Sequence, residues 1–195
     1  MGRRTVYVPP FDHPDIWAGV STMIPEISRQ LPEGAVPDAE ICSVGVGGLF
    51  TGIVEGIGRE ASPTTQVLAV ETLGADSLVR AVEKRELVAL PEITSIALGA
   101  PMVSQRVLDF ALQPNVSTVV VEDAEACTSC LRFVDDERNL VEPAYGASLA
   151  LAYSGQVGKY LKAFSPGSIV VVVVCGGSRI DLEMMNSLKT QFGMS

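Results

Sequence analysis

The stretch Ser43-Val-Gly-Val-Gly-Gly-Leu-Phe-Thr-Gly52 leads from an apolar segment into an amphipathic one through three closely spaced glycines. Glycines let main-chain amides approach an anion closely, and the helix that follows adds the partial positive charge of its N-terminus. The stretch therefore reads as a strand-to-helix turn that binds phosphate, and a β-branched residue in place of Gly47 is expected to weaken binding of a phosphorylated cofactor. Two other readings stand beside it. Gly45-Val-Gly47 fits the first two glycines of a dinucleotide fingerprint, with Glu71 ending the next strand where a ribose-binding acid belongs, but the third glycine position is Phe50. A tight turn with no ligand is the remaining alternative.

Working outward from this turn, short apolar runs alternate with amphipathic stretches, the pattern of βα units around a mostly parallel sheet flanked by helices. The expected fold class is α/β. Strands are predicted at residues 5–8, 39–44, 67–71, 117–121 and 168–175. The last two are rich in β-branched residues, which suits strands covered on both faces. Helices are predicted at residues 14–30, 48–59, 76–84, 103–112, 123–136, 144–162 and 181–191. Asp123 is a candidate N-cap, and Ser178-Arg-Ile-Asp181 has capping-box spacing before the last helix. Turns fall at Leu31-Pro-Glu-Gly34, Ser62-Pro63, Gln113-Pro-Asn115 and Ser165-Pro-Gly167. No repeat or linker divides residues 1–195, which read as one partial domain that opens almost directly on a strand.

The 195 residues carry 47% hydrophobic and 19% charged side chains, enough apolar material for a sizeable core. A net charge of −9 has the wrong sign for attraction to phosphate backbones or anionic membranes, so nucleic acid and membrane are excluded as expected partners. The longest apolar run, residues 169–175, is far too short to span a bilayer, and the expected location is the cytoplasm. Cys42, Cys127, Cys130 and Cys175 are too sparse for a disulfide framework and read as reduced thiols.

Seven blocks carry a more specific signal. Pro10-Phe-Asp-His-Pro-Asp-Ile-Trp-Ala-Gly19, Ser43-Val-Gly-Val-Gly-Gly-Leu49, Val70-Glu-Thr-Leu-Gly-Ala-Asp76, Leu90-Pro-Glu-Ile-Thr-Ser95, Phe133-Val-Asp-Asp-Glu137, Val141-Glu-Pro-Ala-Tyr-Gly-Ala147 and Val174-Cys-Gly-Gly-Ser178 occur in that order. In this the chain resembles the pyridoxal-phosphate-dependent L-serine dehydratases of the serine/threonine dehydratase family. The resemblance implies a tryptophan-synthase-β-like fold (the type II pyridoxal-phosphate fold), of which this chain is similar to most of the large domain, without the N-terminal segment and the small domain. It implies a lyase that takes L-serine, and often L-threonine, to pyruvate or 2-oxobutanoate and ammonia. A small amino acid is then the substrate, and a homodimer the expected assembly.

Residue by residue, the resemblance places Gly45, Val46, Gly47, Gly48 and Leu49 on the loop that holds the cofactor phosphate, with Val46 where the family usually has glycine. It places Cys175 opposite the pyridine nitrogen, where a neutral thiol is a weak partner suited to β-elimination. The Glu71 carboxylate and the carbonyls of Gly45, Ala75, Leu98 and Ala100 fall on a monovalent-cation site that suits potassium. Residues 94–100 are about two shorter than the family pattern there, and an exposed Glu71 would have no such part. Arg179 stands where asparagine is usual.

The family's Schiff-base lysine, set in a serine-x-lysine segment near the start of the protein, has no counterpart here. The four lysines, Lys84, Lys159, Lys162 and Lys189, all fall on helices or their polar ends. No catalytic residue is therefore assigned, and the chain alone is expected to be inactive. A non-catalytic module for pyridoxal phosphate or another phosphate, and a fragment of an NAD-binding Rossmann-like oxidoreductase, are the rival functions. His13, the single histidine, reads as a turn residue; Cys127-Thr-Ser-Cys130 reads as part of a helix, and Asp135-Asp-Glu137 as a solvent face.

Overall fold

A computed structural model describes residues 7–60 and 64–193. Four parallel strands, β1 (Ala39–Ser43), β2 (Gln66–Thr72), β3 (Val116–Val121) and β4 (Val170–Val172), form one sheet in the order β3-β2-β1-β4. The helices are α1 (Pro14–Ser21), α2 (Met23–Gln30), α3 (Gly48–Arg59), α4 (Ser77–Lys84), α5 (Gln105–Ala111), α6 (Asp123–Glu137), α7 (Pro143–Tyr153) and α8 (Leu182–Gln191).

Alternation along the strands sorts the two faces. Cys42, Val44, Val67 and Ala69 pack with Ile53, Leu78 and Val107 from α3, α4 and α5. Ile41, Leu68, Val70 and Val119 point the other way, onto Ala126, Ala147, Ala150 and Leu151 of α6 and α7. Crossovers from β1 to β2 and β3 thus run over one face, and the return from β3 to β4 runs over the other. The chain reverses direction between β1 and β4, which makes the crevice at their carboxyl ends the switch point where open α/β sheets bind ligands.

Five expectations about local structure need correction. The helix expected over residues 14–30 is two helices parted at Thr22, whose hydroxyl bonds back to the Gly19 carbonyl at 2.8 Å. The strand expected over residues 168–175 is paired in regular ladder only from Val170 to Val172, against Ala39–Ile41 of its one neighbour among the described residues, β1. Neither it nor β3 is a covered central strand; both lie at sheet edges and are partly exposed. The helix expected over residues 144–162 stops at Tyr153, followed by a single 3-10 turn at Val157–Lys159. Asp123 and Ser178 are not caps. Glu122 caps α6, its N–H donating to Glu125 at 2.8 Å, and Asp181 caps α8 by accepting from the Met184 amide at 2.8 Å. The strand expected at residues 5–8 falls partly, and the turn at Ser62-Pro63 wholly, outside the described residues; Tyr7 and Val8 are irregular and exposed.

The α6–α7 pair depends on a small residue. A Cβ added to Gly146 would run into the Ala126 carbonyl oxygen and the Cys130 sulfur. Gly146→Ala is therefore expected to destabilise the chain by about 1–3 kcal/mol in urea unfolding, even though alanine is the better helix former. A more stable variant would mean that the two helices can part without loss.

Candidate functional site

At the switch point β1 is followed by Val44, whose amide still donates to the Val70 carbonyl at 2.8 Å. The chain then turns through Gly45, Val46 and Gly47 into α3. Gly47 is the left-handed residue that makes this turn, at φ 103°, and an added Cβ there would collide with Val107 of α5. Within the described structure the amides of residues 45–50 donate to no acceptor, and the ladder of α3 resumes only with the Thr51 amide, 2.9 Å from the Gly47 carbonyl oxygen. Orphan amides at a helix start are ordinary; a run that begins three residues earlier in a glycine turn adds further donors that an anion could engage. A Cβ added to Gly45 would meet nothing within 4 Å, so space opens on that side of the loop. Val46 and Leu49 are half-buried.

Phe50 is fully buried in the core, so the third glycine position of a dinucleotide fingerprint is filled by packing and offers no close approach. Glu71 is not the exposed acid that would rule out a structural site. It is fully buried, and its two carboxylate oxygens accept from the Leu78 and Val79 amides at 2.9 and 2.8 Å, capping α4 from the end of β2. Burial still pushes its pKa up to about 7 against the pull of those two hydrogen bonds. This engagement leaves it poorly placed for a ribose.

The turn after Glu71 is tied to the 94–98 loop. The Thr94 amide donates to the Gly74 carbonyl at 3.2 Å, and the Thr72 and Ser95 hydroxyls are 2.7 Å apart. Asp123 gathers that loop by accepting from the Ser95 hydroxyl and the Ile96 amide at 2.7 and 2.8 Å, the work it does in place of capping. Ala75, Leu98 and Ala100 are all buried here.

On the other side of β1, the Val173 amide donates to the Ile41 carbonyl at 2.9 Å, so the parallel register runs one residue past β4. Beyond Val173 the chain leaves the ladder, and Cys175 lies close enough to Cys42 of β1 for the two to interact electrostatically. Cys175 is the one exposed thiol of the four; Cys42, Cys127 and Cys130 are buried. Burial around it raises the Cys175 pKa, and the neighbouring Tyr145 hydroxyl opposes that rise. Sequence reading missed this tyrosine, whose effect on Cys175 joins residues thirty positions apart.

The four lysines lie on helices or on the segments beside them. Lys162 lies at the opposite, amino end of the sheet, where its amide bonds the Gln66 side chain, and Lys84 and Lys159 are exposed at helix ends. Lys189 is on α8. Arg179 is exposed and borders a cavity of about 430 Å³ with Leu98, Glu142 and Met184, between the 95–99 loop and α8. No helix among the described residues is long and apolar enough to cross a membrane.

Residues 2–176 match the family model for pyridoxal-phosphate dependent enzymes. The chain belongs to this family. Within it, the chain is 41% identical over 195 residues to the L-serine dehydratase/L-threonine deaminase of Rattus norvegicus, covering 97% of this chain and 53% of that protein. It is 44% identical to a serine dehydratase-like protein of the same organism, with 97% and 59% covered. Among solved structures, a fungal L-serine ammonia-lyase from Rhizomucor miehei superposes with a TM-score of 0.91 at 36% identity, over 96% of this chain and 60% of that one. The fold is the tryptophan-synthase-β-like one of pyridoxal-phosphate enzymes, and the chain spans slightly more than half the length of the relatives it matches.

Proposed function

We propose that this chain seats pyridoxal phosphate for a dehydratase acting on L-serine, and on L-threonine as the alternative substrate. The observation that carries the reading is the run of amides at residues 45–50 that meet no acceptor among the described residues, at the carboxyl end of β1. The amides of Gly45, Val46, Gly47, Gly48 and Leu49 hold the phosphate, helped by the start of α3. Cys175 faces the ring nitrogen as a neutral thiol, its elevated pKa keeping it protonated near pH 7. Bound there, pyridoxal phosphate supplies a pyridine ring that withdraws electrons for β-elimination, the net change being L-serine to pyruvate and ammonia. As a weak thiol donor, Cys175 would leave a bound ring only modestly electron-withdrawing.

With none of the four lysines matching the family's Schiff-base segment, this reading gives the 195-residue chain the seating of the cofactor and no turnover of its own. The partner is a small amino acid, the assembly a homodimer, and neither nucleic acid nor membrane is involved. Exposed lysines react with aldehydes, so the probe is pyridoxine 5′-phosphate, which has none. Saturable binding, at least tenfold weaker for pyridoxine and displaced by inorganic phosphate, is expected in equilibrium dialysis. Equal affinity for pyridoxine and its phosphate would remove the assignment.

The same reading places potassium between the Glu71 carboxylate and the carbonyls of Gly45, Ala75, Leu98 and Ala100. A cation beside a buried carboxylate favours its charged form, so potassium chloride should raise the melting temperature over tetramethylammonium chloride. The gain should be larger at pH 8 than at pH 5 and absent in Glu71→Gln. Superimposable melts in the two salts at pH 8 would dispose of the cation site.

A further inference from the structure

The cavity of about 430 Å³ between the 95–99 loop and α8 has anchored walls. Asp123 holds the loop through the Ser95 hydroxyl and the Ile96 amide. The Glu142 amide at the start of α7 donates to the Gly176 carbonyl at 3.2 Å, which ties α7 to the segment that carries Arg179. α8 supplies the third wall, its first turn fixed by the Asp181 cap on the Met184 amide. The described lining includes neither Cys175 nor any of residues 45–49.

Arg179 and Glu142 both line this cavity, and neither side chain makes an ion pair or a hydrogen bond among the described residues. Glu142 stands at the N-cap of α7 without capping it, and Asp181, the acid nearest Arg179 in sequence, is spent on the Met184 amide. Arg179 is a cation just ahead of α8, at the positive end of the helix dipole, so an anion beside it is favoured by both. Ile96, Leu98, Met184 and Leu188 make the rest of the wall mainly apolar. A concave apolar wall of this size with a few polar groups has the form of a small-molecule site. We propose that this cavity binds an α-amino acid with an aliphatic side chain as its zwitterion: the carboxylate meets Arg179, the ammonium meets Glu142, and the side chain lies against Ile96, Leu98, Met184 and Leu188. The apolar wall favours a ligand longer than serine, each buried methylene being worth about fourfold in affinity.

Isothermal titration of the full chain tests this. L-Norleucine should bind saturably, and glycine, which lacks the side chain, at least tenfold more weakly. Hexanoate is norleucine without its ammonium and pentylamine is norleucine without its carboxylate, so each variant has a matched control ligand. Arg179→Gln should weaken norleucine about three- to tenfold and leave pentylamine unweakened. Glu142→Gln should weaken norleucine as much and leave hexanoate unweakened. Arg179 is exposed, so its variant keeps the fold even if the other does not. Absence of saturable norleucine binding to the parent chain, or an equal loss for norleucine and pentylamine in Arg179→Gln, overturns the proposal. Displacement of norleucine by pyridoxine 5′-phosphate overturns it as well, by making the cavity part of the cofactor's seat. Failure of pyridoxine 5′-phosphate to bind at all, with norleucine still bound, counts against the cofactor reading alone.

Discussion

Glu40→Gln should stabilise the chain at pH 8 by roughly 3 kcal/mol and leave it nearly unchanged at pH 5. Glu40 sits in β1 among apolar neighbours, 1% exposed, and its Oε2 has no hydrogen-bond partner. Burial lifts its pKa from 4.5 to about 7. A carboxyl with a folded pKa above its unfolded one holds an extra proton in the folded state across that interval, so stability falls as pH rises from about 4.5 to 7. Above 7 the full cost of the buried charge is present. Glutamine mimics the neutral acid in size and polarity, so it removes the charge penalty without adding a cavity. For a domain of this size the gain corresponds to a melting temperature higher by roughly 10 °C at pH 8. Thermal melts of both proteins at pH 5 and pH 8 decide the matter: an equal shift at the two pH values would show that packing, and not ionisation, governs the site.

Glu71 has a similarly elevated pKa of about 7 but a different role, and the contrast explains what sequence could convey. Its position at the end of an apolar run announces a strand end. Nothing in the order of residues reveals that the chain seven and eight positions later folds back to place two amides on its oxygens. Local grammar read well where local forces rule: the glycine turn enters α3 at Gly48, and α3 ends at Arg59, because glycine geometry and periodicity suffice there. It read poorly at residues 168–175, where β-branched composition signals a strand but the number of neighbours decides its length. Thr22 is similar, since apolar spacing runs on through residues 14–30 while one hydroxyl bonded to the carbonyl three residues earlier marks the break. At the site, the glycines and Cys175 were legible as residue types. What brings β1 and β4 side by side is strand order, which is not written in spacing.

The same logic separates two glycines that look equivalent in sequence. Gly47→Val should cost the fold itself: a β-branched residue is forced into a left-handed conformation at φ 103° while its Cβ is driven into Val107. Strain and overpacking together are expected to exceed about 3 kcal/mol, enough to abolish cooperative unfolding or lower the urea midpoint sharply. Loss of phosphate binding in that variant would follow from the damaged turn, so it cannot report on the ligand. Gly45→Val is the informative partner, because an added Cβ there meets no protein atom within 4 Å and the backbone is not left-handed. Its urea midpoint should stay close to that of the parent chain. Its affinity for pyridoxine 5′-phosphate should fall at least tenfold, as the side chain enters the space beside the open amides. Should Gly45→Val bind the phosphate as the parent does, the ligand is held elsewhere, and the amides at residues 45–50, without an acceptor among the described residues, are no more than the frayed start of a helix.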